Sequence, residues 1–147
     1  MTLTRFATDA SDAPGTSGTP GMAPEYQPGV CNIGPAEIAR RMRAGHIGLV
    51  GTLGLLALLV AIDAPSITRL AIAVPAVIGA SGYLQARLKF CAGFGSIGVF
   101  NFDSVGETHA VVDEAARAAD RRRARQIGAA SFAIGLAVGV VGVLLPI

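Results

Sequence analysis

Three stretches of the chain carry no charge and few polar side chains: one between Arg43 and Asp63, one between Arg69 and Arg87, and one between Arg125 and the terminal Ile147. Each approaches the roughly 20 residues that a helix needs to cross a hydrocarbon core. A soluble helix keeps one polar face, and these stretches have none. The pattern predicts an all-α membrane protein with three transmembrane helices, their cores over 47–62, 70–86 and 127–147. Flanking them, the polar pattern predicts two short amphipathic helices. One covers 35–45, with Pro35 at a tolerated first position, Glu37 in the first turn, and Ile38 and Met42 on one face lying at headgroup level. The other covers 108–125, capped by Thr108, supported by an Asp113–Arg117 pair, and able to run straight into the third span as one rod.

Residues 1–34 lack periodicity and are rich in Thr, Ser, Ala, Gly, Pro and Asp. Such a composition cannot bury enough apolar surface to order itself, so 1–34 is expected to be a tail that is disordered or held by a partner. The chain then divides into that tail, a unit over 35–102 and a unit over 103–147. No apolar h-region occurs in the first 34 residues, so a cleavable signal peptide is not expected and the first span should direct insertion.

Charge adds orientation. Of the twelve lysines and arginines, only Arg69 falls in the turn between the first two spans. The rest precede the first span or lie between the second and third. Basic residues in short loops are retained on the cytoplasmic side, which predicts a multi-pass protein of the bacterial inner membrane with its N-terminus cytoplasmic and its C-terminus outside. Arg40, Arg41, Arg43, Arg121, Arg122, Arg123 and Arg125 are then lipid or charge anchors. A net charge of +2 does not suggest nucleic acid as a partner.

Glycines mark packing faces. Gly48, Gly51 and Gly54 recur in the first span, Gly79 and Gly82 follow Pro75 in the second, and Gly128, Gly135, Gly139 and Gly142 punctuate the third. Small residues on one face let helix backbones approach closely, and their partner helix can belong to this chain or to another. Four of the six phenylalanines, Phe90, Phe94, Phe100 and Phe102, cluster after the second span. They predict an interfacial or re-entrant segment buried against protein, and a contact surface for a partner.

Candidate chemistry is sparse. Gly93-Phe94-Gly95-Ser96-Ile97-Gly98 satisfies the G-x-G-x-x-G pattern, yet no strand or parallel sheet surrounds it, so its glycines are expected to bend backbone along the membrane surface rather than hold a dinucleotide. Cys31, His46, Cys91 and His109 share one predicted interface and form a legitimate zinc set, although no C-x-x-C or H-x-x-x-H pair preforms half of it. Cys31 and Cys91 alone could serve as a thiol pair, or simply be buried and reduced. His46, at the mouth of the first span, could ligate a haem or chlorophyll-type metal, or act as an interfacial hydrogen-bonding residue. No cofactor is required by any of these readings. No Asp, Glu, Lys or His lies deep within a span, which removes the usual mark of ion translocation.

The order Asn32-Ile-Gly34, Glu37, Arg40 and Arg41, a glycine-containing membrane hairpin, and then Phe90-Cys91 resembles the YgaP-like small transmembrane domain over residues 31–102. Lys89 stands where that family has glycine before Phe-Cys, and Ala92-Gly93 where it has Pro-Leu. Some members are fused to rhodanese sulfurtransferase domains, so the resemblance implies a thiol role for Cys91. The reading of the whole chain favours a non-enzymatic accessory or scaffold subunit, bound to lipids and partner membrane proteins through its glycine faces and cytoplasmic segments. A thiol or sulfur-relay protein using Cys91 with Cys31 is the alternative, and pigment or haem binding at His46 the third.

Overall fold

The computed structural model of the chain describes residues 25–146, and the expected tail over 1–24 lies outside them. Helix α1 (Pro35–Ala61) runs into a turn at Asp63, whose left-handed backbone reverses the chain. A 3-10 helix (Ser66–Ile72) then leads into α2 (Ala73–Arg87). A short helix, α3 (Ala92–Ile97), and two paired strands, β1 (Val99–Phe100) and β2 (His109–Ala110), precede the long α4 (Glu114–Leu144). The fold is thus mostly helical. Pro35–Ala61, Ser66–Arg87 and Glu114–Leu144 are each long and apolar enough to cross a membrane.

In this bundle α2 is the middle element, packed on α1 along one side and on α4 along the other. Glycine explains how closely. A Cβ at Gly48 would collide with the backbone of Gly79, and one at Gly82 with the backbone of Gly45. On the other side a Cβ at Gly135 would strike Val77, and those at Gly139 and Gly142 would meet Ala73 Cβ at 2.9 Å and Ile72 Cδ1 at 2.7 Å. The partner helix of these glycines is therefore in the same chain. Gly54 and Gly128 differ: a Cβ there meets nothing within 4 Å, so neither packs a helix within the chain, and Gly51 makes only an ordinary contact with Pro75.

The expected separate helix over 35–45 is not seen, since α1 continues through Gly45 without a break. Its inward stripe is Glu37, Gly45, Gly48 and Thr52, a helical repeat, while Met42 of the expected apolar pair is exposed. Gly45 does not end the helix because its missing side chain makes room for the Tyr83 ring, which a Cβ would approach to 2.9 Å. Helix α4 does run unbroken from loop to span, but it starts at Glu114 rather than at Thr108. The backbone at 109–110 is committed to pairing with 99–100, and the Asp113 carboxylate supplies the cap by accepting from the Ala116 N–H at 2.7 Å. Arg117 turns away from Asp113 and donates through Nε to the Val111 carbonyl at 2.6 Å.

At the far turn Arg69 is buried and donates to the Leu145 carbonyl at 2.9 Å. That bond satisfies a carbonyl that the end of α4 leaves open.

Candidate functional site

Everything polar and buried gathers at the other end, in a cap built from residues 25–34, the start of α1, the 88–113 segment and the first half of α4. Asn32, Ile33 and Gly34 are fully buried strand-like residues rather than part of a loose tail. The Asn32 side chain grips Cys91 by both backbone groups: the Cys91 N–H donates to Oδ1 at 2.7 Å, and Nδ2 donates to the Cys91 carbonyl at 3.1 Å. Asn32's own backbone joins Lys89 and Asn101 on either side, and the Gly34 N–H donates to the Asn101 carbonyl at 2.7 Å. A side chain at Gly34 would sit 2.8 Å from the Phe102 carbonyl, so the position requires glycine.

Held in this way, Cys91 caps α3. Its sulfur accepts from the Phe94 N–H at 3.4 Å and from Arg41 Nη2 at 2.9 Å. The Arg41 guanidinium lies over the Phe94 ring, 5.9 Å from its centre, within cation–π range. Glu37 stands behind it, its carboxylate buried and 3.7 Å from Arg41 and 3.6 Å from Arg40. Gln85 closes the site by accepting from the Ala92 N–H at 3.0 Å. Chemically, the sulfur faces a permanent cation and a peptide N–H, the type of donor pair that a sulfur-centred anion accepts.

A second knot ties residues 25–30 to α4. Asp120 is fully buried, and it accepts from the Gly29 N–H at 2.7 Å and the Tyr26 hydroxyl at 2.9 Å. Burial, and then the bond to Asp120, raise the Tyr26 hydroxyl well above its ordinary pKa. Burial likewise pushes the Cys31 thiol up, against smaller opposing effects of the Ile33 carbonyl contact and Lys89.

No protein-family model, curated protein or solved structure matches the chain. The site must therefore be judged on its own geometry.

On that geometry the four-residue zinc set does not assemble: among the described residues, no three His, Cys, Asp or Glu side chains converge. The reason is local. His46 bonds the Met42 carbonyl at 2.8 Å and sits edge-on to Tyr83, whereas His109 pairs with Asp103 at 2.7 Å and stacks on Phe100. Cys31 and Cys91 are both free and buried. Their backbones are neighbours through Asn32, yet the Cys31 sulfur faces the Ile33 carbonyl and the Cys91 sulfur faces Arg41.

The phenylalanine segment is also spent largely inside the cap. Phe90 is fully buried against Ala124 and Ile127, and Phe100 stacks on Tyr26 at 4.8 Å with Phe102 tilted beside it. The glycine pattern at 93–98 forms α3 instead of a bend. Gly95 lets α3 press on Phe90, and Gly98, at φ 75°, ends the helix in the left-handed conformation. Of the seven anchor arginines, Arg41 turns inward and Arg123 is half-buried, while Arg40, Arg43, Arg121, Arg122 and Arg125 remain exposed.

Gln85, Asn101 and Asp120 were absent from the sequence-based candidates, and Asn32 entered only through the resemblance. Asp120 had one signal, being the sole acid within the arginine-rich stretch 117–125. Gln85 and Asn101 had none.

Proposed function

We propose that the chain is a non-enzymatic accessory subunit of a larger bacterial inner-membrane assembly, with its cap on the cytoplasmic side. The distribution of Lys and Arg supports that orientation, because all but Arg69 belong to the cap end. The carrying observation is Val112, 90% exposed on a rigid segment outside the membrane-length helices. On one side of it Val111 is buried and its N–H is bonded to the Gly98 carbonyl, and on the other Asp113 caps α4. An apolar side chain already fixed in place loses little entropy on docking, and Val30 and Val105 are further exposed apolar residues of the cap. Because the glycine faces are occupied within the chain, docking is assigned to the cap and to the outer helix flanks. Purification in mild detergent with a photo-crosslinker at Val112 should give a stoichiometric adduct with a membrane protein, and Val112→Glu should abolish it. A monodisperse lone chain would refute the proposal.

A second reading has one specific observation in its favour, the Arg41–Cys91 contact at 2.9 Å. It makes Cys91 a thiol in a sulfur-handling membrane protein, consistent with the YgaP-like resemblance, whose residues Asn32, Gly34, Glu37, Arg41 and Cys91 meet in the cap. Under this reading, Cys91→Ser removes alkylation by a membrane-permeant maleimide together with cellular sulfur transfer. Under the subunit reading, transfer is unchanged.

A further inference from the structure

One cavity in the cap is lined by none of the residues of the buried knots. It is about 310 Å³, lies between α3 and α4, and is lined by Ser96, Arg121 and Arg125. Arg125 is exposed and makes no ion pair or hydrogen bond among the described residues. Arg121 makes one bond, to Glu114 at 2.7 Å, and that pair is solvent-exposed. Arg121 lowers the Glu114 pKa through this bond, but an exposed pair holds its partners weakly, and a guanidinium retains further donors. The third wall is Ser96, whose hydroxyl is exposed and bonds the Ala92 carbonyl.

The position of this cavity matters as much as its charge. Arg125 is the last charged residue before the uncharged stretch of α4. Continuing along the same flank, at helical spacings of three and four residues, come Gly128 and then Phe132. A Cβ at Gly128 would meet nothing within 4 Å, and Phe132 is exposed, as is Ile97 on α3. The flank thus reads as two available cations and a hydroxyl above an open apolar channel.

We propose that this cleft binds one anionic phospholipid, its phosphate between Arg121, Arg125 and Ser96 and an acyl chain along Gly128 and Phe132. Guanidinium groups recognise phosphate oxygens by paired charge-assisted hydrogen bonds, and the depth of the cleft matches a headgroup above hydrocarbon. The inference rests on α4 spanning a membrane, and so do the accessory-subunit and sulfur readings, but it needs no protein partner and no reactive thiol.

Full-length protein in detergent, incubated with phosphatidylglycerol or phosphatidylcholine, can be tested by native mass spectrometry, counting retained lipid. Phosphatidylglycerol is retained preferentially, and Arg121→Gln and Arg125→Gln each weaken it roughly fivefold. Arg122→Gln, on another face of α4, leaves retention unchanged. Gly128→Leu, which keeps every arginine and meets no steric obstacle, also displaces the lipid. Helical content by circular dichroism guards against misfolding, and Gly128→Leu provides a separate readout if an arginine variant fails to fold. An equal loss with Arg122→Gln, no preference between the two lipids, or displacement of the lipid by equimolar inorganic phosphate would each overturn the proposal. Carbonate extraction of membranes separates this outcome from failure of the membrane reading: a protein that stays in the pellet yet shows no lipid preference is inserted but lacks the site.

Discussion

The apolar bundle and the polar cap of this small protein are held together by opposite means. In the bundle, side chains are removed so that backbones can touch, as at Gly48 on Gly79 and Gly82 on Gly45. In the cap, side chains are added so that backbone groups find partners, as with Asn32 on Cys91 and Asp120 on Gly29. The difference follows from solvent. Among apolar surroundings there is little hydrophobic drive between helices, and association relies on close packing. Where the chain leaves regular structure, each buried N–H and C=O needs a partner, and long-range polar side chains provide it.

That contrast can be broken from either side. Gly48→Leu drives a side chain into backbone that cannot yield, so we expect a loss of more than about 3 kcal/mol, at or beyond the upper end for overpacking. In practice the variant should not yield a folded bundle in detergent. Gly54→Leu, facing open space, should leave the thermal midpoint unchanged.

In the cap, Asp120→Ala strands the Gly29 N–H and the Tyr26 hydroxyl, at a cost of about 2–3 kcal/mol if both stay buried. The expected signature is local. Limited proteolysis should cut within residues 25–31 while helical content stays constant.

Alkaline titration sharpens the comparison further. Cys31 has a pKa raised in the folded state above its ordinary 9.0, and Tyr26 is raised above 10.0. The folded cap therefore holds these protons more tightly than the unfolded chain does, and stability falls as pH rises past the unfolded values. Thermal melts should lose stability from about pH 9 upward, and Cys31→Ala should flatten the first part of the decline. A bundle held only by glycine packing would show no such slope.

The smallest effect concerns Lys89, a non-glycine residue with φ 51° at the turn after α2. Lys89→Gly should raise stability by up to about 1 kcal/mol by relieving the left-handed strain, read as a small upward shift of the melt.

The same contrast decides what could be read from the sequence. The three membrane-length helices were legible because a charge-free stretch is a local property, and the spacing of Gly135, Gly139 and Gly142 announced a packing face. The path of 25–34 was not legible. Its order comes from Asn32 meeting residues 89–101 and from Asp120 meeting Tyr26 and Gly29, pairings between distant segments with no periodicity to reveal them. Thr108 misled for a related reason, since pairing of 109–110 with 99–100 delays the helix until Asp113. Cys91 was singled out correctly as a residue of interest, but its partner Arg41 looked like a lipid anchor because nothing in α1 showed which arginine turns inward.

Helix α4 also has a mechanical character. It is one continuous rod of 31 residues, about 46 Å long. Near its start Asp120 is roped to residues 26 and 29, and just past its end Leu145 is roped to Arg69. A strut fastened at both ends cannot tilt at one without moving the other. Tension applied to the segment around Gly29 is carried through the rod to the turn at Arg69, on the opposite side of the bundle.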